Sequence, residues 1–526
     1  MPDRIVSEAF AAFLTSNSEF WSHERLAPRA PGAILIEASQ NNHGYLYGVL
    51  KIGLILARLR GLRPIACPNV RADRDALDLI TSMCPDVVPI RRSFVRQLLQ
   101  RWPCMLALLA KLRTGADLLE ASVEGAFVGR YVYDAIIGRF HVPTVGRLTL
   151  SMRLYVLWWV AYFYALKEVV DQNDVRFMVL HDPANICGLL FEICRLRRIP
   201  CLNGLNLSIM QIRKYYAIGD FDAHCRQIDT DVLARIPADG EWQRRLDVYL
   251  ERRVNGRIDD HDVVAAYGES KHVRARADLF DEYQLDPGRP LVVVMAHVFA
   301  DSPHIYPGML FRDYHEWLLE TVRALAANPH VNFVVKEHPA AHLYGEQGSL
   351  ARVLAAEGQL PRLLRTDLST ATVLAAADFA VTCGGTIGFE LSVVGRPVIL
   401  AARPPYSGLG FAVEPEDADA YLRLLSRGIE RLSSLTPDQM LLARKAAFVR
   451  FELLNNYEPG LELGDWRYDL GKPFNAARFY RAVIDENRVP LATQRLFGLF
   501  DRFEHSADRL ILNWSVCQEP VVPPSP

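Results

Sequence analysis

Short apolar runs of strand length alternate with stretches of helical periodicity along the first half of the chain. Ala33–Ala38 is an apolar run, residues 45–60 carry apolar side chains at helical spacing, and residues 64–67 form a second apolar run. The same succession returns over residues 176–202, around a helical pattern at residues 186–197. Strand, helix and strand in this order predict βαβ units of a parallel sheet.

A second, more regular series of the same kind starts after the turn at residues 286–290. Its predicted strands are residues 291–296, 331–336, 379–381 and 397–400, and the predicted helices are residues 317–327, 348–357, 369–376 and 387–394. Because strands and helices alternate throughout, this half of the chain should be a doubly wound sheet. Residues 436–515 are almost entirely helical in pattern.

These patterns predict an α/β fold with two Rossmann-like domains facing across a cleft. The first domain is predicted over residues 1–285 and the second over residues 286–435. Residues 436–526 are predicted to be a helical tail that crosses back toward the first domain. A chain of 526 residues has the length for two large α/β domains.

Composition narrows the classes of partner. The chain has 59 basic and 61 acidic residues and a net charge of −2, which favours neither nucleic acid nor a polybasic membrane anchor. None of the nine cysteines belongs to a Cys-x-x-Cys pair, so we expect no metal site and reduced thiols in a cytoplasmic protein.

One apolar run raises the question of membrane contact. Residues 154–166 contain six aromatic side chains, but the run is too short to span a bilayer, which takes about 20 apolar residues. A buried helix is the simpler interpretation. The alternative is an interfacial helix that meets a lipid-linked acceptor, which would bring the protein to the inner face of the membrane as a peripheral protein.

The candidate chemistry centres on the segment Phe379–Leu400. A predicted strand ends there in Thr382, Cys383, Gly384, Gly385 and Thr386, and a predicted helix follows. Glycines allow a ligand to approach the backbone, and a helix start offers N–H groups to an anion such as a phosphate. Glu390 lies one turn further on, where a carboxylate could accept hydrogen bonds from a ribose diol. A structural crossover without a ligand is the alternative.

Two more loops should join this segment at the same edge of the predicted sheet, because ligands bind at the carboxyl ends of parallel strands. One loop follows the strand 291–296 and the other follows the strand 331–336. Their candidate substrate-binding residues are His297, Asp301 and His304 in the first loop and Lys336, His338 and Pro339 in the second. Lys336 and His338 can donate to a phosphate or to a base carbonyl, and Pro339 fixes the backbone beside the imidazole.

The first half offers candidates for proton transfer and for acceptor binding. Asn42 and His43 follow the strand Ala33–Ala38, and His181 and Asp182 follow the strand at residues 176–180. Asp182 is the best-placed carboxylate to act as base or nucleophile. The alternative for Asn42, His43 and Asp182 is that they cap the helices that follow.

The sequence Glu337-His338-Pro339, followed by Thr382-x-x-x-Thr386-Ile-Gly-Phe-Glu390-Leu and Gly395-Arg-Pro-Val-Ile, resembles the bacterial capsular polysaccharide biosynthesis family. These proteins are GT-B glycosyltransferases related to the Kdo transferases, and cytidine-nucleotide sialyltransferases share a similar arrangement. The resemblance covers residues 290–410. It implies that His338 and Pro339 border a nucleotide, that Thr382 and Thr386 bind its phosphate, and that Glu390 holds the ribose.

This chain departs from the family pattern by having Cys383-Gly384-Gly385 where a Ser/Thr pair is more usual, so backbone N–H groups would replace hydroxyl groups at the phosphate. The resemblance implies a cytoplasmic, metal-independent enzyme with a nucleotide-sugar co-substrate, of which a CMP-linked sugar is one form. It would transfer a sugar, Kdo or another acidic one, to a glycan or lipid-linked glycan acceptor held by the first domain. The alternatives are a teichoic-acid-type polyol-phosphate transferase, a nucleotide-sugar 2-epimerase and a non-enzymatic assembly subunit.

Overall fold

The structure is a computed structural model that describes residues 2–25, 27–181, 184–204, 212–215, 228–258, 261–305, 308–454 and 476–517. The chain forms two compact units, each built from separate stretches of sequence. The first unit contains Met1–Tyr133, Gly146–Cys225 and Leu454–Leu512. The second unit contains Asp134–Val145, Arg226–Leu453 and Asn513–Pro526.

The first unit is built on a five-stranded sheet of order β2-β1-β3-β4-β5. The strands are β1 (Ala33–Ala38), β2 (Arg63–Pro68), β3 (Val175–Leu180), β4 (Cys201–Gly204) and β5 (Ile212–Tyr215). The first four are parallel to one another, and β5 runs antiparallel to β4. Strand β1 is buried along its whole length, as expected for a central strand of a sheet that helices cover.

Nine helices of the described residues precede β4. They are α1 (Pro2–Glu24), α2 (His43–Arg60), α3 (Arg74–Met83), α4 (Ile90–Gln100), α5 (Trp102–Lys111), α6 (Gly115–Leu119), α7 (Val128–Phe140), α8 (Leu150–Gln172) and α9 (Asn185–Arg197). Helices α4 and α5 follow each other directly, and Pro103 lies in the first turn of α5, where its missing N–H costs nothing.

The second unit is built on a four-stranded sheet of order β7-β6-β8-β9, in which all pairs are parallel. The strands are β6 (Leu291–Met295), β7 (Asn332–Lys336), β8 (Phe379–Thr382) and β9 (Val398–Leu400). The helices are α10 (Thr230–Arg235), α11 (Glu241–Val254), α12 (His261–Tyr267), α13 (Arg276–Glu282), α14 (Tyr314–Ala326), α15 (Ser349–Ala356), α16 (Thr370–Ala376), α17 (Ile387–Ser392), α18 (Ala418–Arg427) and α19 (Pro437–Phe448). A π-helical turn, Val449–Leu453, extends α19.

Two helices late in the sequence, α20 (Ala476–Glu486) and α21 (Arg495–Glu504), belong to the first unit. Phe479 of α20 packs against the rings of Phe13 and Tyr47, with centroids 5.7 and 5.8 Å away. Lys51, which is 1% exposed, forms an ion pair with Glu486 on the same helix. The late helices therefore complete the core of the first unit, and residues 226–285, predicted in the first domain, cluster with the second unit.

Two sheets, parallel except for β5 and surrounded by helices, confirm the predicted fold class, an α/β chain with two Rossmann-like domains. The apolar segment at residues 154–166 lies in α8, where its residues from Val156 to Leu166 are mostly buried. The buried-helix interpretation of that segment is therefore the one that holds. Among the described residues, no helix is both long enough and apolar enough to cross a membrane.

Candidate functional site

The three loops predicted at one sheet edge follow β6, β7 and β8, which are neighbours in the second sheet. Strand β6 lies in the middle and pairs with β7 on one side and with β8 on the other. Since all three strands are parallel, their carboxyl ends meet at one edge, where open α/β sheets bind ligands. The strand order thus brings together His297, the Thr382–Thr386 turn and the His338 loop.

His297 connects the first of these loops to the turn after β8. Its Nε2 lies 3.0 Å from Thr382 Oγ1 and accepts a hydrogen bond from the backbone N–H of Cys383 at 3.2 Å. The imidazole is stacked on the ring of Tyr314, with centroids 4.5 Å apart, and contacts Trp317 edge-on. The side chain is half-buried. Burial and the nearby His338 lower the pKa of His297 to about 3, so the ring is neutral at physiological pH.

The hydrogen-bond pattern assigns the tautomer of this imidazole. An amide N–H can only donate, so Nε2 of His297 must carry a lone pair and the ring proton sits on Nδ1. The hydroxyl of Thr382 accepts the N–H of Gly385 at 3.2 Å and is left to donate to Nε2. His297 therefore offers one N–H, from Nδ1, which has no hydrogen-bond acceptor among the described residues.

The turn between β8 and α17 lies against His297 on one side and Tyr406 on the other. Tyr406 is fully buried and donates its hydroxyl to the carbonyl oxygen of Gly385 at 2.9 Å. A Cβ on Gly385 would lie 3.3 Å from Thr382 Oγ1 and 4.0 Å from the His297 ring. In the part of the chain that the structure describes, the backbone N–H groups of Gly384 and Thr386 have no acceptor.

At the end of β7 lie a buried cation, Lys336, and a half-buried imidazole, His338. His338 Nδ1 accepts the N–H of Ala340 at 3.2 Å, and the carbonyl of Pro339 contacts His342 at 3.0 Å. Lys336 is only 5% exposed, and its ammonium donates to the carbonyl oxygen of Leu368 at 2.7 Å. Burial lowers the pKa of Lys336 to about 8. This geometry does not present Lys336 to a phosphate, contrary to the role predicted for it.

Glu390 has a different environment from the one predicted. It is 4% exposed, and its Oε1 accepts a hydrogen bond from Nε of Arg253 at 2.8 Å. Its Oε2 accepts the hydroxyl of Tyr267. Burial alone would lower the pKa of Arg253, but the charge of Glu390 raises it overall. Because both carboxylate oxygens are occupied inside the unit, the geometry argues against the predicted ribose-binding role.

The far end of the first loop is held by the carboxylate of Asp134 and the backbone carbonyl of Arg312. His304 places Nδ1 2.5 Å from Asp134 Oδ1 and donates from Nε2 to the carbonyl of Arg312 at 2.8 Å. Burial opposes the charged form of His304, but Asp134 raises its pKa. Asp301 is exposed and accepts the hydroxyl of Tyr344 at 3.1 Å. His304 thus anchors the loop and is not directed at a ligand.

Two residues that the sequence analysis did not single out lie at strand ends. Arg403 is the third residue after β9; its side chain is exposed and has no acidic partner among the described residues. Its side chain runs alongside Gly308, where a Cβ would lie 2.8 Å from Cδ. The signal was available, because a basic residue directly after an apolar strand falls at the carboxyl edge of a parallel sheet.

Glu37 is the second of these strand-end residues and lies in the first unit. It is 1% exposed at the end of β1 and accepts the N–H of Ser39 at 2.7 Å and the N–H of His181 at 3.2 Å. The carboxylate therefore ties the loop after β1 to the loop after β3. A single acid within the apolar run Ala33–Ala38 was the visible sign.

The predicted catalytic residues of the first unit have the following positions. His181 is stacked on Tyr45, with ring centroids 4.6 Å apart. His43 contacts the hydroxyl of Tyr480 at 2.6 Å and stacks on Phe10, and burial lowers its pKa. Asp182 lies outside the described residues.

Asn42 caps a helix, which was the alternative given for it above. Its side-chain oxygen accepts the backbone N–H groups of Gly44 and Tyr45 at 3.1 and 3.3 Å, as an N-cap of α2 does. Within the described ranges, no group of three or more His, Cys, Asp or Glu side chains is arranged to hold a metal ion.

No protein-family model and no curated protein sequence matches this chain. Among solved structures, it is similar to the KpsC beta Kdo 2,4 transferase of Thermosulfurimonas dismutans, with 16% identity over 52% of this chain and 79% of that one and a TM-score of 0.32. It is also similar to Anabaena Alr3699/HepE in complex with UDP and glucose, with 12% identity, 80% and 94% coverage and a TM-score of 0.26.

A third similar structure is the UDP-GlcNAc 2-epimerase of Neisseria meningitidis bound to UDP-GlcNAc, with 9% identity, 80% and 98% coverage and a TM-score of 0.23. Two of these three proteins are thus a transferase and an epimerase by name. Likeness of this size assigns neither a family nor an activity to the chain.

Proposed function

We propose that this chain is a glycosyltransferase that transfers a sugar from a nucleotide donor to a growing surface polysaccharide or glycolipid. The donor nucleotide binds at the carboxyl edge of the second sheet. One observation supports this proposal above the others: a neutral imidazole, a glycine turn and a half-buried second imidazole converge there on three neighbouring strand ends.

His297 acts as a hydrogen-bond donor and not as an acid or a cation. A group with a pKa of about 3 carries no extra proton at neutral pH, so it cannot protonate a leaving group. Its Nδ1–H can donate to a phosphate oxygen or to a carbonyl of the base. The stack on Tyr314 and the two bonds at Nε2 fix the ring, so little rotational freedom is lost when a ligand binds.

The negative charge of the phosphate is stabilised by backbone N–H groups and by a guanidinium that have no partner within the described residues. The N–H groups of Gly384 and Thr386 are donors, and the guanidinium of Arg403 is a cation at the end of the adjacent strand β9. Donors of this kind, fixed before the reaction, stabilise the negative charge that develops as the sugar departs. Arg403 takes the place of Lys336, whose ammonium is buried.

Activation of the acceptor is assigned to the first unit. Asp182 acts as the base or nucleophile, with His181 next to it in sequence. Glu37 accepts the backbone N–H of His181, the residue before Asp182 in the sequence. Asn42 is excluded from this proposal because its side chain already caps α2.

The resemblance in the segment at residues 290–410 favours an acidic sugar such as Kdo, carried on CMP, and a cytoplasmic location. A panel of nucleotides tests this with thermal stability as the readout, since a ligand that binds only the folded state raises the melting temperature. Stabilisation by CMP supports the Kdo-type donor. Stabilisation by CDP supports a polyol-phosphate transferase, and stabilisation by UDP alone moves the choice to an epimerase or another transferase.

Variants test the site itself. His297→Phe keeps the ring stack but removes both ring nitrogens, the donor Nδ1–H and the Nε2 that accepts from the turn. It should weaken binding of the stabilising nucleotide tenfold or more, about 1.5 kcal/mol for a bond to a charged group. His315→Phe is the matched control, because His315 is a second imidazole on the same unit whose pKa burial lowers. Arg403→Ala should cause a similar loss, with the exposed Arg427→Ala as its control. Unchanged affinity in both test variants would remove the nucleotide from this edge.

A further inference from the structure

The first unit carries a surface that combines exposed apolar side chains with cations. Helix α5 has the sequence Trp-Pro-Cys-Met-Leu-Ala-Leu-Leu-Ala-Lys, yet only Met105 of these residues is buried. The large apolar side chains exposed on α4, α5 and the first turns of α8 are Val95, Leu99, Trp102, Leu106, Leu150 and Leu154. We call these side chains, together with the basic side chains of the same segments, the apolar–basic surface.

The six side chains form three pairs spaced by four residues. Residues four apart lie on the same face of a helix, so each helix presents one apolar stripe. The three helices pack together: Phe94 of α4 contacts Trp158 of α8 at 5.7 Å, and Arg101, directly before α5, lies over the ring of Tyr164 of α8 at 4.7 Å. The stripes therefore lie on helices that pack together, and exposed apolar side chains grouped on neighbouring helices are typical of an interaction surface.

The charges in these segments have one sign. Residues 90–113 contain six basic side chains and no acidic one, although the whole chain has a net charge of −2. Three of the six are engaged: Arg91 with backbone carbonyls, Arg96 with Glu168, and Arg101 with Tyr164. Arg92, Lys111 and Arg113 are exposed and form no ion pair among the described residues, although the charge of Arg113 helps to lower the pKa of Asp117.

A second segment adds to this charge. The backbone of Arg113 bonds to that of Leu148 at 2.9 Å, which places exposed Arg147 beside the end of α5. Arg153 lies one residue before Leu154 on α8. The nearest acid along the chain, Asp117, has its carboxylate occupied by the N–H groups of Arg113 and Thr114.

From this arrangement we infer that the apolar–basic surface docks on an anionic lipid bilayer. Leucine side chains and Trp102 enter the boundary between headgroups and acyl chains, and the arginines contact lipid phosphates around them. A bilayer satisfies both the apolar stripes and the excess of positive charge, whereas a second copy of this surface would bring like charges together. This inference does not depend on the proposed function, since it concerns the first unit alone.

Co-sedimentation of the full chain with vesicles tests the inference. The chain should bind vesicles of phosphatidylcholine mixed with phosphatidylglycerol, should bind pure phosphatidylcholine much more weakly, and should be released by high salt, which screens surface charge. Trp102 should add a blue shift of fluorescence on binding that Trp102→Phe removes. Failure to bind anionic vesicles, or equal binding to both kinds, would overturn the inference.

A matched pair of variants separates this surface from general hydrophobicity. Leu106→Glu should weaken vesicle binding tenfold or more, while Leu360→Glu should leave it unchanged, because both leucines are 46% exposed but Leu360 lies in the second unit. Arg113→Ala should weaken binding about fivefold, from the roughly 1 kcal/mol that a cation contributes near an anionic surface.

Self-association provides the opposing outcome. If sedimentation velocity shows a dimer that Leu106→Glu dissociates, and vesicles do not compete with it, the surface is an interface between copies and the inference is wrong. Equal vesicle binding by Leu106→Glu and Leu360→Glu would also contradict it. Both leucines are exposed, so neither change should shift the midpoint of thermal unfolding measurably.

Discussion

The buried ion pair of Glu390 gives the sharpest test of the second unit. Arg253 on α11 and Glu390 on α17 are 6% and 4% exposed, and their charges are joined at 2.8 Å. Glu390→Gln removes the negative charge and keeps the shape. It leaves a buried guanidinium without a counter-charge, which costs about 3–5 kcal/mol in comparable sites.

Urea unfolding measures this loss. With a slope of about 3 kcal/mol per molar for a unit of this size, the midpoint should fall by about 1 M or more. The control is Glu357→Gln, which breaks a two-pronged ion pair with Arg323 on the surface of the same unit, at 51% and 21% exposure. That change should cost no more than about 1 kcal/mol.

Two results would refute the reasoning. The first is a loss for Glu390→Gln no larger than that for Glu357→Gln. The second is a loss of nucleotide affinity at full stability, which would restore the predicted ribose role of Glu390. Replacing Glu390 and Arg253 together by Met should recover much of the stability, since well-packed apolar side chains can replace a buried pair without loss.

Three further outcomes are expected. His304→Gln should lower the free energy of unfolding by about 2 kcal/mol at acidic pH. Because the pKa of His304 is raised in the folded state, this loss should shrink as the pH rises above about 6.5, which urea unfolding at several pH values measures. The stability of the wild type relative to Lys336→Met should rise by about 3 kcal/mol between about pH 8 and about pH 10.4, because the folded state binds the proton of this lysine more weakly; a flat difference would contradict the burial. Gly388→Ala should destabilise by about 1–3 kcal/mol, because its Cβ would lie 1.9 Å from Oη of Tyr406, whereas Gly146→Ala, with nothing within 4 Å, should be neutral in thermal unfolding.

Much of the fold could be predicted from the order of apolar patterns. The strand Ala33–Ala38 was predicted with its observed bounds, and β6, β7, β8 and β9 each lie within one residue or so of their predicted limits. Short apolar runs bounded by Gly, Pro and polar residues are a local signal, and buried parallel strands leave it clearly. Strand β5 was not predicted, because its sequence Ile-Arg-Lys-Tyr has the composition of a polar loop.

The sequence predicted where the candidate site lies, but it did not predict the hydrogen-bond partners of the side chains there. The loops after β6, β7 and β8 were identified because the carboxyl edge of a parallel sheet follows from strand order alone. Which side chains of those loops remain available was not a local property. Lys336 and Glu390 are charged residues at promising positions, yet their partners, Leu368 and Arg253, lie 32 and 137 residues away in sequence.

The sequence by itself determined the alternation of strands and helices, the parallel sheets and the edge at which loops gather, because each depends on periodicity within a few residues. Only the tertiary structure decided which polar groups are consumed inside the protein and which face outward. Burial and pairing are set by contacts between distant segments: the late helix α20 completes the first core through Phe479, and the tautomer of His297 is fixed by Thr382 and Cys383. The same physics left Leu106 exposed on an apolar helix.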